Sequence, residues 1–353
     1  MAVASGAELA RGILQGHAAS GGVTALVAQQ ALRTPHSRAL AAGPGSAVAY
    51  GELWAAAWRA ASGLVRGGLR AGGHAAVFVD EGAGLVTTEL AVWLAAGVVV
   101  PLDAAWPRER LLFLLADAAA EVATCGRAQR ARLDGLAVPL LCHEDLQAAE
   151  PLPGSAGRPP TRADAVSHLI YTTGGSTGQP KAVACSHAAL RAYLVAKPPV
   201  HGVTAGAVVL LVSAHTWDPS LGDTFSSLAV GATLALAPRG KLVEALPDAV
   251  RDSEASHACA TPAAWSLLGR GGGGGALPSL RTVALGGERM PRDLSDAWSG
   301  RVRLLSAATR SLTIPDLAPL RALSARAGWD PAAARAGQGR RGSGGPARGP
   351  AAC

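Results

Sequence analysis

The chain has 353 residues, of which 49% are hydrophobic, so it can form one large globular domain or two ordinary ones and is not typical of a disordered protein. Its formal net charge is +7, but much of this charge lies in residues 321–353, which hold six arginines and one acidic residue. The rest of the chain is near neutral, which disfavours a nucleic-acid-binding function, although a basic tail can contact polyanions. We therefore interpret the tail as a solvated low-complexity end and expect no nucleic-acid partner.

The sequence shows no signal for membrane insertion or secretion. The longest apolar run, residues 90–101, is too short to span a bilayer as a helix, and a start that carries Glu8 does not fit a secretory signal. The cysteines form no CxxC pair and have no zinc-site spacing: Cys125, Cys142, Cys185, Cys259 and Cys353. They are typical of reduced core thiols in an intracellular protein. We expect a cytoplasmic protein with no membrane partner, and import into an organelle stays open.

Short apolar segments alternate with helix-like segments from about residue 48 onward. The first half contains predicted helices at 52–68 and 107–120, with predicted strands at 74–80, 97–103 and 121–125. The second half contains predicted strands at 166–172, 207–214, 232–238, 257–262 and 281–287, separated by helices around 187–196, 220–229, 241–253 and 262–269. Continuous apolar strands that alternate with helices predict an α/β fold of stacked, mostly parallel sheets covered by helices. Residues 149–163 and 269–275 have the composition of a linker and a flexible loop.

Residues 172–183 read TTGGSTGQPKAV and follow a predicted strand. Glycines allow the backbone to approach a ligand closely, and successive N–H groups can then form an anion-binding nest, while hydroxyls and a lysine add donors and positive charge. The segment therefore predicts a phosphate-binding loop formed by Thr173, Gly174, Gly175, Ser176, Thr177, Gly178 and Lys181. It is neither a Walker loop nor the dinucleotide fingerprint GxGxxG. The alternative is a mobile hairpin loop between two strands, because "AVACSH" after the loop again has strand character.

The segment TGGSTGQPKAV at 173–183 resembles the signature loop of the AMP-forming adenylating enzymes. This family includes acyl- and aryl-CoA synthetases, luciferases and the adenylation domains of nonribosomal peptide synthetases. Two positions depart from its pattern, since Thr172 stands where tyrosine is usual and Ala182 replaces the final glycine. Four further segments are similar to the family in the same order, at 48–54, 94–125, 215–234 and 282–291. The second of these is closest to the amino-acid-activating branch.

The resemblance implies roles for individual residues. The phosphate-binding loop would hold the β- and γ-phosphates of ATP, with Thr173 and Lys181 acting in catalysis. Asp218 would pair with the ammonium group of an amino-acid substrate, although a helix N-cap is an equal alternative because Asp218-Pro219 is a good helix start. His215 would flank the acid pocket, with a core or surface histidine as the alternative. A further segment would lie along the adenosine, or else form a plain turn after a strand: Gly286, Gly287 and Glu288.

The reaction that the resemblance implies is ATP-dependent activation of a carboxylic acid. The acid, an amino acid or a related small acid, would become an acyl-adenylate with release of pyrophosphate. A thiol of CoA or of the pantetheine on a carrier protein would then take the acyl group. We expect ATP and Mg²⁺ as cofactors, although the sequence identifies no ligand for the metal.

The resemblance ends after residues 301–306. The family continues there with Asn-x-Tyr-Gly-Pro-Thr-Glu, whereas this chain continues with AATRSLTIPD, and the later ribose-binding segment and catalytic lysine are also missing. We therefore predict an AMP-binding domain over 22–315 that is incomplete at its C-terminal end, followed by a disordered low-complexity tail over 316–353. Such a truncated polypeptide should turn over poorly. The alternative function is a non-catalytic, nucleotide-binding remnant of the same fold.

Overall fold

The computed structural model describes residues 14–18, 21–43, 45–151, 162–172, 180–268 and 277–307. Its strands are, in chain order, β1 (Arg38–Ala41), β2 (Ala47–Ala49), β3 (His74–Phe78), β4 (Val98–Pro101), β5 (Ala120–Cys125), β6 (Leu140–Cys142), β7 (Val166–Thr172), β8 (Lys181–Ser186), β9 (Val208–Leu210), β10 (Thr233–Ala235), β11 (His257–Ala260), β12 (Thr282–Gly286) and β13 (Arg303–Ala307). Its helices are α1 (Thr24–Arg33), α2 (Tyr50–Arg66), α3 (Ala83–Leu94), α4 (Arg108–Asp117), α5 (Arg130–Leu133), α6 (His143–Gln147), α7 (His187–His201), α8 (Asp218–Ala229), α9 (Arg239–Glu244), α10 (Leu246–Asp252), α11 (Pro262–Ser266) and α12 (Arg292–Trp298).

The strands form two sheets that are parallel except at one edge of each. One sheet has the order β13-β12-β11-β9-β10-β1-β2, and its edge strand β2 is antiparallel to β1. The other has the order β6-β5-β3-β4-β7-β8, and its edge strand β8 is antiparallel to β7. The remaining neighbours in both sheets pair in parallel. The prediction of an α/β fold with mostly parallel sheets is therefore confirmed.

The two sheets share one layer of helices. The largest buried cluster joins residues of α1, α2, α3 and α8 to one face of each sheet, for example Val77 and Val99 on one side and Leu40 and Leu234 on the other. The outer face of the six-stranded sheet packs on α4, and the outer face of the seven-stranded sheet packs on α9, α10, α11 and α12. The interior strands are thus buried on both faces, which explains why they read as continuous apolar runs rather than alternating ones, whereas the edge strands β2 and β8 are partly exposed.

Trp93 on α3 lies at the centre of the shared layer. Its side chain is fully buried, its ring centroid is 4.5 Å from that of Phe225 on α8, and its indole N–H donates to the carbonyl of Ser167 at 2.8 Å. One side chain therefore contacts a helix from the second half of the chain and strand β7 of the six-stranded sheet. Buried indole N–H groups need such an acceptor because water cannot reach them.

The helices that flank the candidate site begin and end at residues suited to those positions. Ser186 caps α7, because its hydroxyl accepts the N–H of Ala189 at 3.2 Å. The helix ends at His201 and is followed by Gly202, whose φ of 72° is left-handed. Helix α8 begins at Asp218, with Pro219 in its first turn, where the missing N–H costs nothing. Trp217 occupies the cap position itself, so Asp218 lies inside the first turn instead of capping it.

The structure differs from two helix predictions. The predicted helix at 241–253 is two helices, α9 and α10, because the proline at position 247 cannot supply the backbone hydrogen bond that a continuous helix requires. Helix α7 continues past 196 to His201. Most of the predicted linker and loop at 149–163 and 269–275, and the tail at 316–353, lie outside the described residues.

Truncation of Trp93 to alanine should strongly destabilise the fold. The change removes a fully buried indole between two helices and leaves the Ser167 carbonyl without its donor, so we expect a loss of about 3–5 kcal/mol in the free energy of unfolding. Urea unfolding followed by circular dichroism measures it. Trp217→Ala is the matched control, since Trp217 is 61% exposed, and its effect should stay within about 0.5 kcal/mol. Equal losses in both variants would contradict the proposed role of the shared layer.

Candidate functional site

The sequence-predicted residues of the second half lie at one edge of the seven-stranded sheet. Strands β9, β11 and β12 are parallel and adjacent in the order β12-β11-β9, so their carboxyl ends share one edge. His215 and Asp218 follow β9, and Gly287 and Glu288 follow β12, which itself ends at Gly286. Ligands of α/β proteins bind outside the carboxyl ends of parallel strands. The structure therefore brings these residues to the edge where a ligand is expected.

Glu288 connects two of these strand ends. Its carboxylate accepts the N–H of Ala263 at 3.2 Å, at the start of α11, which follows β11. Thr261 caps the same helix, with its hydroxyl accepting the N–H of Ala264 at 3.1 Å. Gly287 has a φ of 85°, so a residue with a side chain would be strained at this turn. The turn that the sequence associates with adenosine is thus held against the first turn of α11 by a carboxylate.

His215 joins this edge to the six-stranded sheet. Its ring is buried, and its Nε2 lies 3.1 Å from the carbonyl of Leu102, directly after β4. Its Nδ1 lies 3.5 Å from a carboxylate oxygen of Glu81, shortly after β3. The carboxyl ends of β3 and β4 therefore face the carboxyl end of β9. The structure places His215 in a buried contact between the two sheets, and whether it also flanks an acid pocket stays a prediction.

Three ionisable side chains interact around this contact. Burial alone would lower the pKa of His215, but the hydrogen bond and charge of Glu81 outweigh it, so the pKa is raised. Burial would raise the pKa of Glu81, and His215 reverses this effect, so the pKa is lowered. Glu89 on α3 is fully buried, and one of its carboxylate oxygens has no hydrogen-bond partner. Burial raises the pKa of Glu89 to about 8, although the charge of His215 opposes the shift.

The predicted phosphate-binding loop follows β7 of the six-stranded sheet. Residues 173–179, and so Thr173, Gly174, Gly175, Ser176, Thr177 and Gly178, lie outside the described residues. Thr172 and Lys181 are register partners in the antiparallel pair of β7 and β8, so the two ends of the loop lie side by side. Strand β7 is parallel to its neighbour β4, which places Thr172 at the same edge as Leu102. The predicted strand at "AVACSH" is present as β8.

Asp218 lies where α7, α8, β8 and β11 approach one another. The residue is exposed, yet surrounding protein atoms partly desolvate its carboxylate and raise its pKa, while the charge of Lys197 acts in the opposite direction. Its charge in turn acts to raise the pKa of Cys185, Tyr193 and Cys259. A carboxylate in this position is favourably placed for the helix dipole of α8 and for an incoming cation.

A buried ion pair lies deeper between α7 and α8. Lys197 donates to Asp223, and both side chains are almost fully buried. Burial alone would lower the pKa of Lys197, but the charge of Asp223 outweighs it, so the pKa is raised. The second carboxylate oxygen of Asp223 has no hydrogen-bond partner, and Asp223 lines a small cavity together with Cys259. The ammonium of Lys197 is therefore neutralised by Asp223 and not by the exposed Asp218.

Sequence reasoning missed Glu81, Glu89, Lys197 and Asp223. Glu89 had a usable signal, because it is a single charged residue in the apolar run at 85–94, and Lys197 is one of few lysines in the chain. The other two gave no local signal. No group of three or more His, Cys, Asp or Glu side chains within the described ranges could hold a metal ion. No helix in this part of the chain is long and apolar enough to cross a membrane.

These features define an α/β protein with its candidate ligand residues at the carboxyl edges of two parallel sheets. Residues 27–308 match the family described as AMP-binding enzyme. The chain belongs to this family, and the resemblance seen in the sequence is confirmed. The boundaries 22–315 and 316–353 stay predictions.

Two proteins with similar sequences have names that indicate roles in biosynthesis. The chain is 34% identical over 274 residues to novobiocin biosynthesis protein H of Streptomyces niveus, a match that covers 74% of this chain and 45% of that protein. It is 33% identical over 273 residues to phosphinothricin tripeptide synthetase PhsC of Streptomyces viridochromogenes, covering 76% of this chain and 24% of that protein. The chain thus spans less than half the length of these relatives.

Solved structures agree with this assignment. The nonribosomal peptide synthetase FmoA3 in its AMPPNP-bound form has a TM-score of 0.72 and 27% identity, over 81% of this chain and 31% of that chain. VinN in complex with L-aspartate has a TM-score of 0.69 and 24% identity, over 80% of this chain and 73% of that chain, and at that identity supports the fold alone.

Glu89 should make stability depend on pH. Its pKa is raised from 4.5 to about 8, so the native state keeps a proton that the unfolded chain releases between those values, and stability falls as pH rises through that window. Replacing it with glutamine removes this loss. The free energy of unfolding of Glu89→Gln relative to wild type should therefore rise between pH 5 and pH 8, by on the order of 1 kcal/mol per pH unit.

Urea unfolding of both proteins across this pH range measures the difference. His215 acts in the same direction, since its raised pKa means a contribution that is present below pH 6.5 and lost as pH rises through the raised pKa. The charges of Glu89 and His215 interact, so only the part of this contribution that is independent of Glu89 cancels between the two proteins. The exposed Glu244 supplies the control, and Glu244→Gln should leave the difference flat. A flat difference for Glu89→Gln as well would show that Glu89 is charged in the native state at neutral pH.

Proposed function

We propose that this chain uses ATP to activate a small carboxylic acid that also carries a protonated amine, forming an acyl-adenylate and pyrophosphate. Family membership supports acid activation in general. The position of Asp218 is the observation that favours an acid with a protonated amine as the substrate. The chain spans only part of the length of its relatives. The proposal therefore also applies to any longer protein of which this chain is a part.

Asp218 is suited to recognise an ammonium group. Its carboxylate lies at the first turn of α8 beside the strand edge, and its electrostatic neighbours come from α7, β8 and β11. The nearby cation Lys197 is engaged by Asp223, so Asp218 keeps its own charge for a ligand. A partly desolvated carboxylate selects a cation, because an uncharged group leaves the carboxylate without compensation.

ATP would lie across the carboxyl edges of both sheets. We propose that the loop Thr173–Gly178 and Lys181 hold the β- and γ-phosphates, since backbone N–H groups, hydroxyls and an ammonium stabilise the charge of the departing pyrophosphate. Gly286, Gly287 and Glu288 would lie along the adenosine, with Glu288 also holding the turn to α11. Protein sites commonly bind Mg²⁺ through substrate phosphates with few protein ligands, so we propose that Mg²⁺ enters with ATP and lowers the charge of the phosphates.

In the reaction, one carboxylate oxygen of the acid attacks the α-phosphorus. The bond from that phosphorus to the bridging oxygen breaks, and pyrophosphate leaves with the electron pair. The residues named above contribute mainly by positioning the acid in line with this bond. We propose that a thiol, on CoA or on the pantetheine of a carrier protein, then attacks the acyl carbonyl, loses its proton and releases AMP.

Asp218→Asn should lose activity with amino acids. ATP–pyrophosphate exchange, measured over a panel of amino acids and of the same acids without the amine, should show a KM for the preferred amino acid raised by about 10- to 100-fold, the range expected for a lost charged hydrogen bond. Exchange with the acid lacking the amine should change little. Asp296→Asn, an exposed helical position, is the matched control. An unchanged KM for Asp218→Asn would refute the assignment of this residue.

Lys181→Gln should weaken the use of ATP and leave the acid site intact. The apparent KM for MgATP should rise by about tenfold or more, because one cationic contact to phosphate is lost, while the KM for the acid stays near the wild-type value. Lys241→Gln is the control, since Lys241 pairs with Asp252 on α10. A rise in both KM values by the same factor would indicate a structural defect instead.

Calorimetry with MgATP separates this proposal from the non-catalytic alternative. Wild-type protein that binds MgATP and exchanges pyrophosphate with an amino acid supports the proposal. Binding of MgATP without exchange for any acid in the panel would favour a nucleotide-binding remnant of the same fold.

A further inference from the structure

Two cysteines far apart in the sequence meet at the edge of the six-stranded sheet. Cys125 is the last residue of β5 and Cys142 is the last residue of the edge strand β6. They are register partners in the parallel pairing of these strands, so their side chains point to the same face of the sheet. Both thiols are free and buried in the cluster beneath α4. Neither takes part in the site described above.

The backbone geometry is compatible with a disulfide. Neighbouring strands lie about 4.7–4.9 Å apart, and disulfides join residues whose Cα atoms are about 4.4–6.8 Å apart. The two thiols are already in hydrogen-bonding contact, and the charge and hydrogen bond of Cys142 contribute, after burial, to raising the pKa of Cys125 to about 12. Cys142 lies on the edge strand and is 4% exposed, whereas Cys125 lies on the next strand and is fully buried, so Cys142 is the thiol that would react first.

A cation lies against Cys142. The guanidinium of Arg130, at the start of α5, lies 3.4 Å from the sulfur of Cys142 and also donates to the carbonyl of Leu140 at 3.3 Å. Arg130 is exposed, so one exposed side chain from α5 lies over the sulfur of Cys142 at the end of the edge strand β6. Reactive cysteines typically lie in such electropositive surroundings. The opposing charge in this region is Glu144 on α6, which acts to raise the pKa of Cys125.

We propose that Cys125 and Cys142 form a dithiol site that a peroxide oxidises to an intramolecular disulfide. In the first step the Cys142 thiolate attacks a peroxide oxygen, the O–O bond breaks, and the leaving hydroxide takes up the proton that the Cys142 thiol released, so the products are a sulfenic acid and water. In the second step the sulfur of Cys125 attacks the sulfenic sulfur, the S–O bond breaks, and the thiol proton of Cys125 leaves with the hydroxyl group as water. Both sulfurs are oxidised, and one peroxide is reduced to two waters. The bond would join β6 to β5 and close the segment that contains α5.

Peptide mapping of the whole chain tests this site. Protein treated with a small excess of hydrogen peroxide, alkylated and digested should contain one dominant linked peptide pair, Cys125 with Cys142, which dithiothreitol reverses. Cys185 and Cys259 are internal controls, because their register partners are His168 and Ala284, and they should remain alkylated. Two results would overturn the proposal: free, alkylated Cys125 and Cys142 while other cysteines oxidise, or conversion of Cys142 to sulfinic acid without a link.

A variant of Arg130 tests the same site without replacing either cysteine. Arg130→Gln should slow formation of the link by about two- to fivefold, the range expected for one exposed charge pair. Arg132→Gln is the matched control on the same helix, because Arg132 donates to the carbonyls of Ala104 and Ala105 and not to a thiol. Equal rates for Arg130→Gln and wild type would show that Arg130 does not contribute to the reaction. A link that forms equally between other cysteines would contradict the proposal of a specific dithiol site. The outcome does not depend on acid activation.

Discussion

Most of this structure depends on one packing constraint, which is that a parallel sheet must be covered by helices on both faces. The chain meets this constraint for two sheets with a single shared layer formed by α1, α2, α3 and α8. Trp93, which contacts both α8 and β7, lies in this layer. Because one layer packs against both sheets, the orientation of one sheet fixes that of the other. The carboxyl ends of β3, β4 and β9 consequently meet, and the candidate site lies along them.

The meeting of the two sheets creates a polar contact inside an apolar protein. Buried charges are stable only when they are paired or neutral. His215 and Glu81 satisfy this condition as partners that shift each other's pKa toward the charged forms. Glu89, fully buried with an unpartnered oxygen, satisfies it by holding its proton. The same principle operates between α7 and α8, where Asp223 neutralises Lys197 and leaves Asp218 as the exposed carboxylate of the region.

Secondary structure and the family resemblance could be predicted from the sequence because both depend on short stretches of neighbouring residues. Strand β7 was predicted with its observed bounds, and α2, β3 and β11 within a few residues, since apolar runs, glycines and prolines act on the backbone next to them. The hydrophobic pattern alone predicts a continuous helix at 241–253, and the proline at position 247 is the local signal that separates it into α9 and α10. The segments that carry the family resemblance were equally local, and the family match over residues 27–308 confirms it.

The sequence by itself determined which segments become strands and helices, where a phosphate-binding loop is expected, and which family the chain belongs to. Only the tertiary structure decided which of these segments are neighbours. It placed His215 against Leu102, Lys197 against Asp223, and Cys125 beside Cys142. The physical reason is that hydrophobic periodicity reports which face of an element is buried, but not which element covers it. The charges and thiols that share a site therefore become visible only when the order of the strands is known.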